Sequence, residues 1–404
     1  MKNKSKIIIL STVIIFSVII FLSYTLYANS KILKIPEKTV TLKMNDSYEL
    51  PSSVDAVMVN GKWKSYEVEW ENPKVDTKKA GTFEIYGKIK NSDKTVKAVI
   101  NVVPKIVNVD DIVQVTLVGG KAELPTKVKA QLEDGTLKEV EVKFDCSPPE
   151  TDKPDIYFYD NGFVRGYDKP VKLKIVVRES PDVEMKFITE KLDLDKVFSP
   201  HVIDSLNDLK YEPLDKKEVS RLKNIFNTEL KKYPKEVLAA NLNSISFFRS
   251  IKYEGISVGG TSDMRMNIYM CDDNYSTKDI KMIFHHELNH ILYTNNMELF
   301  NEKEWKNANI EGFNYGDGGT EAIKDGNNSM NLSMELAKKG FVNQYSMSAI
   351  EEDIAEISNY LFMNDKSFWK LVDSSERLNK KVRILIDFYH KLNPVFTEKY
   401  FRNL

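Results

Sequence analysis

His286-Glu287-Leu288-Asn289-His290 places two imidazoles and a carboxylate where zinc-assisted hydrolysis needs them. On a helix, residues four apart share one face, so His286 and His290 can hold one metal ion together. Glu287 is rotated by about 100° from His286, which turns its carboxylate toward a water polarised by the metal rather than toward the metal. The H-E-x-x-H pattern is therefore a geometric statement about hydrolytic chemistry. Such a site uses three protein ligands and keeps one position open, so a third ligand has to come from elsewhere in the chain.

The candidates lie in Glu351-Glu352-Asp353-Ile354-Ala355-Glu356. A ligating histidine usually donates its other ring nitrogen to a carboxylate, so ligand and brace should share a helix face. Glu352 and Glu356 are four apart and do so. At that spacing Glu351 is followed by Ala355 and Asp353 by Ile357, which brace nothing. Glu352 is the better ligand, and Glu356 is left to brace a histidine. Ser348 with Glu351 predicts a capping box that gives Glu351 a structural task.

The elements that must position these groups are legible around them. Ser276-Thr277-Lys278-Asp279 predicts a capping box opening a helix. Ile280, Ile283, Phe284, Leu288, Ile291 and Leu292 then give that helix an apolar stripe. His285 falls off the pattern, with Asn289 four residues on, and reads as an incidental surface histidine. Upstream, Met266 to Met270 predicts a short strand and Val258-Gly259-Gly260-Thr261 a turn before it. Lys216 to Lys232 predicts an amphipathic helix, Asn243 to Ile251 a strand, and Ser374 to Leu392 a final helix. Residues 296–342 are loop-rich, with Gly316-Asp317-Gly318-Gly319 and Asp325-Gly326-Asn327-Asn328, and are expected to wall a cleft as a lid. His201 and His390 are expected to do ordinary surface or packing work.

His286-Glu287-x-x-His290 followed by Glu352-x-x-x-Glu356 resembles the gluzincin zinc metallopeptidases. Tyr345 to Glu356 looks like the matching stretch of the anthrax lethal factor catalytic domain and the bacterial Pro-Pro endopeptidases. Trp305, Phe313-Asn314-Tyr315-Gly316 and Gly340-Phe341-Val342-Asn343 are similar to bacterial zinc peptidases of that group. The likeness covers mainly residues 265–360. It implies an α+β zincin-like domain holding one Zn2+ on His286, His290 and Glu352. It further implies Glu287 as catalytic base, Tyr345 as transition-state donor, Glu356 as the brace, and a protein or peptide as substrate. Proline specificity is not implied, because no cleft-lining motif for it is visible.

Lys2, Lys4 and Lys6 precede an uncharged, mostly apolar run from Ile7 to Ala28. As a helix it spans roughly 30 Å, enough to cross a bilayer. The basic flank predicts a cytoplasmic N-terminus and everything beyond Ala28 outside the cell. The end at Leu26-Tyr27-Ala28 is a poor cleavage site, so an uncleaved single-pass anchor is expected, with secretion if it is cut. Only two cysteines, Cys146 and Cys271, occur in 404 residues, which excludes a disulfide framework. A net charge of −1, from 58 basic and 59 acidic side chains, argues against nucleic acid as a partner.

An internal repeat fills the middle of the chain. Glu49-Leu50-Pro51-Ser52-Ser53-Val54-Asp55-Ala56 returns as Glu123-Leu124-Pro125-Thr126-Lys127-Val128-Lys129-Ala130, and at the same offset Asn60-Gly61 returns as Asp134-Gly135. These turn signals, flanked by alternating apolar residues, predict two small antiparallel β-sandwiches. They resemble bacterial Ig-like repeats of cell-surface proteins. Such units serve as stalks, or take a cell-wall or surface ligand. The predicted organisation is a membrane segment (1–33), two Ig-like repeats (34–104 and 105–178) and a metallopeptidase domain (179–404). The alternative is a non-catalytic surface adhesion protein with an inert peptidase fold, against which the intact Glu287 argues.

Overall fold

In the computed structural model, Lys2–Ser30 form one helix, α1. Residues 2–316, 318–324, 326 and 328–404 are described. Met1 lies outside them, as do Asp317, Asp325 and Asn327 of the glycine-rich loop singled out above. From Thr12 to Ser30, α1 is long and apolar enough to cross a membrane by length and composition. The chain divides into two compact units. One holds residues 1–110, 125–144 and 161–171, and the other holds 111–124, 145–160 and 172–404.

The alternating apolar residues of the first repeat form β1 (Ile32–Lys34), β2 (Lys38–Lys43), β3 (Ser53–Met58), β4 (Trp63–Trp70), β5 (Gly81–Ile89) and β6 (Thr95–Val103), in the order β1-β3-β4-β5-β6-β2. The second repeat forms β7 (Ile106–Val109), β8 (Ile112–Leu117), β9 (Lys127–Leu132), β10 (Leu137–Lys143), β11 (Asp155–Val164) and β12 (Val171–Arg178). Its order, β7-β9-β10-β11-β12-β8, repeats the first strand for strand. Gly61 and Gly135 take φ of +81° and +83° at the matching turns, a left-handed conformation that glycine adopts freely. Neither repeat is purely antiparallel. β2 runs parallel to β6, and β8 parallel to β12. A parallel partner needs a long connection, and the three intervening strands of each repeat supply it. In the first repeat Ala98, Ile100 and Val102 of β6 fill the core together with Leu42 and Leu50.

The C-terminal region changes to a helical pattern around a short sheet. β13 (Glu184–Phe187), β15 (Ser244–Phe248) and β19 (Asn267–Cys271) run parallel. β18 (Gly260–Ser262) pairs antiparallel with β19 and lies at the sheet edge. β14 (Lys210–Glu212), β16 (Ser250–Tyr253) and β17 (Ile256–Val258) make a second small sheet. The single strand expected over Asn243 to Ile251 is thus split at Arg249 into β15 and β16. The turn expected at Val258 to Thr261 is instead the junction of two strands.

Around the sheets lie α2 (Pro200–Ser205), α3 (Val219–Glu229), α4 (Lys235–Asn241) and α5 (Thr277–Thr294). Short helices α6 (Glu302–Asn307), α7 (Gly319–Lys324) and α8 (Met334–Lys339) break up the region expected to be mostly loop. They lead to α9 (Ile350–Met363), α10 (Lys366–Ser374), α11 (Glu376–Leu392) and α12 (Glu398–Phe401), so the helix ending at Leu392 is not the last. The α5 stripe of Ile280, Phe284, Leu288, Ile291 and Leu292 is wholly buried in the main core, each side chain contributing about 2 kcal/mol by burial. Cys271 is buried, Cys146 is half-buried, and both are free.

Candidate metal centre

α5 starts where the sequence predicts. Ser276 caps it by accepting from the Asp279 amide, and the Asp279 side chain reciprocates to the Ser276 amide. The helix lies against β18, and two glycines allow the approach. A Cβ on Gly259 would sit 2.7 Å from Ile283 Cδ1. One on Gly260 would sit 2.8 Å from Ile283 Cγ2 and 3.3 Å from Glu287 Cγ. These glycines are therefore required for close packing of strand on helix, not for a turn. On its other side α5 packs against α9, which carries Glu352 and Glu356.

Four of the named side chains converge between these helices. His286 Nε2 lies 3.0 Å from Glu352 Oε2 and 3.0 Å from His290 Nε2. His290 Nε2 lies 3.6 Å from Glu352 Oε2. One ligand atom from each of His286, His290 and Glu352 falls within 4.8 Å of the others. On the far side of the His286 ring, Nδ1 lies 2.9 Å from Glu356 Oε1. In the neutral, metal-binding form Nδ1, facing a carboxylate, keeps the proton, so Nε2 is the ring nitrogen able to ligate.

The donor set fits a divalent cation. Glu352 Oε2 is buried and accepts no hydrogen bond, although a buried carboxylate oxygen normally has a partner. Two nitrogens and one oxygen in this arrangement suit Zn2+. The electrostatics agree. Burial disfavours the ionised form of Glu352, yet His290 and His286 outweigh it and hold the carboxyl far below its ordinary value. Burial likewise opposes charge on His286, and the neighbouring carboxylates of Glu352 and Glu356 override it, raising its pKa. The pocket therefore attracts positive charge.

Glu287 follows His286 on α5 and is 9% exposed. Burial raises its pKa, against the opposing pull of His286 and His290. Tyr345 sits on a 3-10 turn, Tyr345–Met347, just before α9. Its ring centroid is 6.2 Å from that of His286. Burial raises its pKa strongly, and the charges of Glu352, Glu287 and Glu356 add to that. The phenol stays protonated at any usable pH.

Three features escaped the sequence reading. The first is Asn343, wholly buried, whose Nδ2 donates to Glu356 Oε2 at 2.5 Å while its Oδ1 accepts from the Ser346 amide at 2.9 Å. Asn359 adds a donor to Glu356 Oε1 at 3.2 Å. The spacing Asn343-x-x-Ser346, a self-bonding turn, is a usable signal. The second is His285, which is no surface residue. It is fully buried, with Nε2 2.9 Å from Glu229 Oε2 and Nδ1 2.8 Å from the Tyr233 hydroxyl. Lys232 and Lys281 close on the same Glu229 at 2.6 and 2.8 Å.

The third is Asp353, whose buried carboxylate has a network of its own. Its Oδ2 accepts from Lys381 at 2.5 Å, Tyr315 at 2.6 Å and Trp305 at 2.9 Å. Glu229 and Lys381 both interrupt an apolar helix stripe, which is how the sequence could have revealed them. The capping box expected at Ser348 does not form. α9 begins after Ala349 with no side-chain cap, and the Ser348 hydroxyl donates to the Tyr345 carbonyl at 2.7 Å. His201 and His390 are exposed and lie outside the site.

Residues 249–397 match the model of a family described as "Putative zinc-binding metallo-peptidase". Residues 35–92 match one described as "Bacterial Ig-like domain (group 4)". Among solved structures, the chain is similar to a crystal structure titled as a putative zinc-binding metallo-peptidase from Bacteroides caccae. The two are 16% identical, with a TM-score of 0.37, over 55% of this chain and 84% of that one. No curated protein matches. The chain is thus similar to that metallo-peptidase family over residues 249–397 and to bacterial Ig-like domains over residues 35–92.

Proposed function

We propose that the chain is a zinc-dependent endopeptidase held at the outer face of the cell membrane by α1. The observation that carries this reading is the convergence of His286, His290 and Glu352 within 4.8 Å, beside a buried Glu287. These three residues would hold one Zn2+. When bound, zinc supplies Lewis acidity and lowers the pKa of water to about 7.

The chain's own groups account for the rest. Glu287 takes the proton of the attacking water and hands it to the leaving amine, a role its raised pKa suits. Tyr345, protonated throughout, donates to the oxyanion that develops on the scissile carbonyl. Glu356 fixes the His286 ring through Nδ1. The edge strand β18 lies along the helix face bearing Glu287, so an extended peptide backbone can pair there. A protein or peptide substrate entering in mid-chain suits that open edge. The first β-repeat is a spacer, or takes a cell-wall or surface ligand.

The test uses the full-length protein in detergent. It should bind one zinc per chain and cleave members of a peptide library. Cleavage should stop with a chelator and return with added zinc. Glu287→Gln should keep the zinc and lose nearly all turnover, whereas His290→Ala should lose the metal. Cleavage by Glu287→Gln at the wild-type rate would overturn the assignment of the base. Absence of any cleavage despite bound zinc would favour the inert, adhesive reading.

A further inference from the structure

The strands β8 and β12, with the first part of β11, belong to the same compact unit as residues 172–404. The contacts inside that unit are specific. The Arg265 guanidinium donates twice to Asp155 Oδ1, at 2.9 and 2.6 Å, and once to the Ile156 carbonyl at 2.6 Å. Lys174 Nζ donates to Asn241 Oδ1 at 2.7 Å, at the end of α4. Ile156 and Val176 of the repeat pack with Met266, the residue after Arg265.

Both gripped residues in turn hold the end of α5. Asn295, which caps that helix, donates to the Arg265 carbonyl at 2.6 Å. Asn296 donates to Asn241 Oδ1 at 3.1 Å and back to the Leu292 carbonyl at 2.8 Å. Two side-chain relays therefore run from the repeat to adjacent residues at one helix end: Asp155 through Arg265 to Asn295, and Lys174 through Asn241 to Asn296. A helix terminus has backbone groups without intrahelical partners, so side-chain anchors there fix its position. Asn295 lies only about 8 Å along the axis from His290.

We infer that β8, β12 and the first part of β11 brace the metal-ligand helix, with Asp155 and Lys174 as positioning residues acting through Arg265 and Asn241. On this reading these strands are part of the peptidase unit, not of a stalk. That α5 carries metal ligands rests on the proposed function above, but the brace itself does not.

The test is amide hydrogen exchange on the full-length, metal-free protein, followed by zinc affinity from competition with a chelator. In Asp155→Ala/Lys174→Met, amides over residues 286–296 should exchange at least roughly tenfold faster, as loss of two anchors implies. Zinc affinity should fall with it. Val142→Ala, a cavity in the part of the repeat that belongs to the other compact unit, should leave those amides at the wild-type rate. Asp155→Asn, which keeps an acceptor for Arg265, should restore part of the protection. Unchanged α5 exchange in the double variant, with faster exchange confined to the β-strands, would overturn the inference. If the double variant fails to fold, Asp155→Ala and Lys174→Met are read singly by the same criterion. Faster α5 exchange in a protein that binds no zinc at all would uphold the brace and sink the metal reading instead.

Discussion

Asn343 donates to Glu356 at 2.5 Å, on the carboxylate oxygen that does not face His286. One buried carboxylate thus joins the loop before α9 to a histidine on α5. Because Asn343 Oδ1 also accepts from the Ser346 amide, the same loop sets where Tyr345 stands. Asn343→Ala should leave Glu356 short of a donor and free the His286 ring to turn. Zinc affinity should drop about 10- to 100-fold, as it does when such outer partners are removed, in a chelator competition assay. An affinity equal to wild type would show that Asn359 alone holds Glu356.

Tyr345→Phe separates binding from chemistry. The hydroxyl is not among the three ligands, so zinc content should stay at the wild-type level. Loss of one oxyanion donor should cut kcat by roughly 10²- to 10³-fold with little change in KM. Measured on a single good peptide, a rise in KM with kcat intact would assign the hydroxyl to substrate binding instead.

The pair Lys381–Asp353 is wholly buried at 2.5 Å, with Asp353 next to Glu352 in the chain. Burial raises the Asp353 pKa against the pull of Lys381, and burial lowers that of Lys381 against the pull of Asp353. Lys381→Met leaves a carboxylate with donors from Trp305 and Tyr315 but no counter-charge. It should cost about 3–5 kcal/mol in urea unfolding. Lys381→Met/Asp353→Asn should regain most of that. A double variant no more stable than the single would mean that the two groups are not coupled.

How much of this was legible in the sequence follows from how local each signal is. The α5 cap, its apolar stripe and the pairing of His286 with His290 depend on spacings within one helix, and the helix formed as read. Glu352 and Glu356 share a helix face, which is legible in their spacing, and both lie beside His286. The buried contacts of Asp353, His285 and Asn343 were not readable, since their partners lie 13 to 56 residues away in sequence. Gly259 and Gly260 were misread for a related reason. A glycine needed for close approach looks the same in one dimension as a glycine needed for a turn. The parallel strands β2 and β8 were missed because alternation reveals a strand but not the direction of its neighbour.

Lys174 gives a prediction in pH. Its ammonium meets Asn241 Oδ1 and lies 5.7 Å over the Phe158 ring, and the side chain is almost fully buried. Burial lowers its pKa from 10.5 to about 7, against a smaller pull from Glu298. Below about pH 7 the lysine is charged both folded and unfolded, so the folded state bears the whole cost of burying it. Between pH 7 and 10.5 the unfolded chain binds a proton that the folded chain does not, and stability rises with pH. The full gain is on the order of 4 kcal/mol. Lys174→Met removes that titration, while Asn241 Oδ1 keeps its bond from Asn296. The difference in urea-unfolding free energy between wild type and Lys174→Met should therefore shift in favour of wild type as pH rises from 7 to 10. Parallel profiles across that range would show that the ammonium finds water in the folded protein.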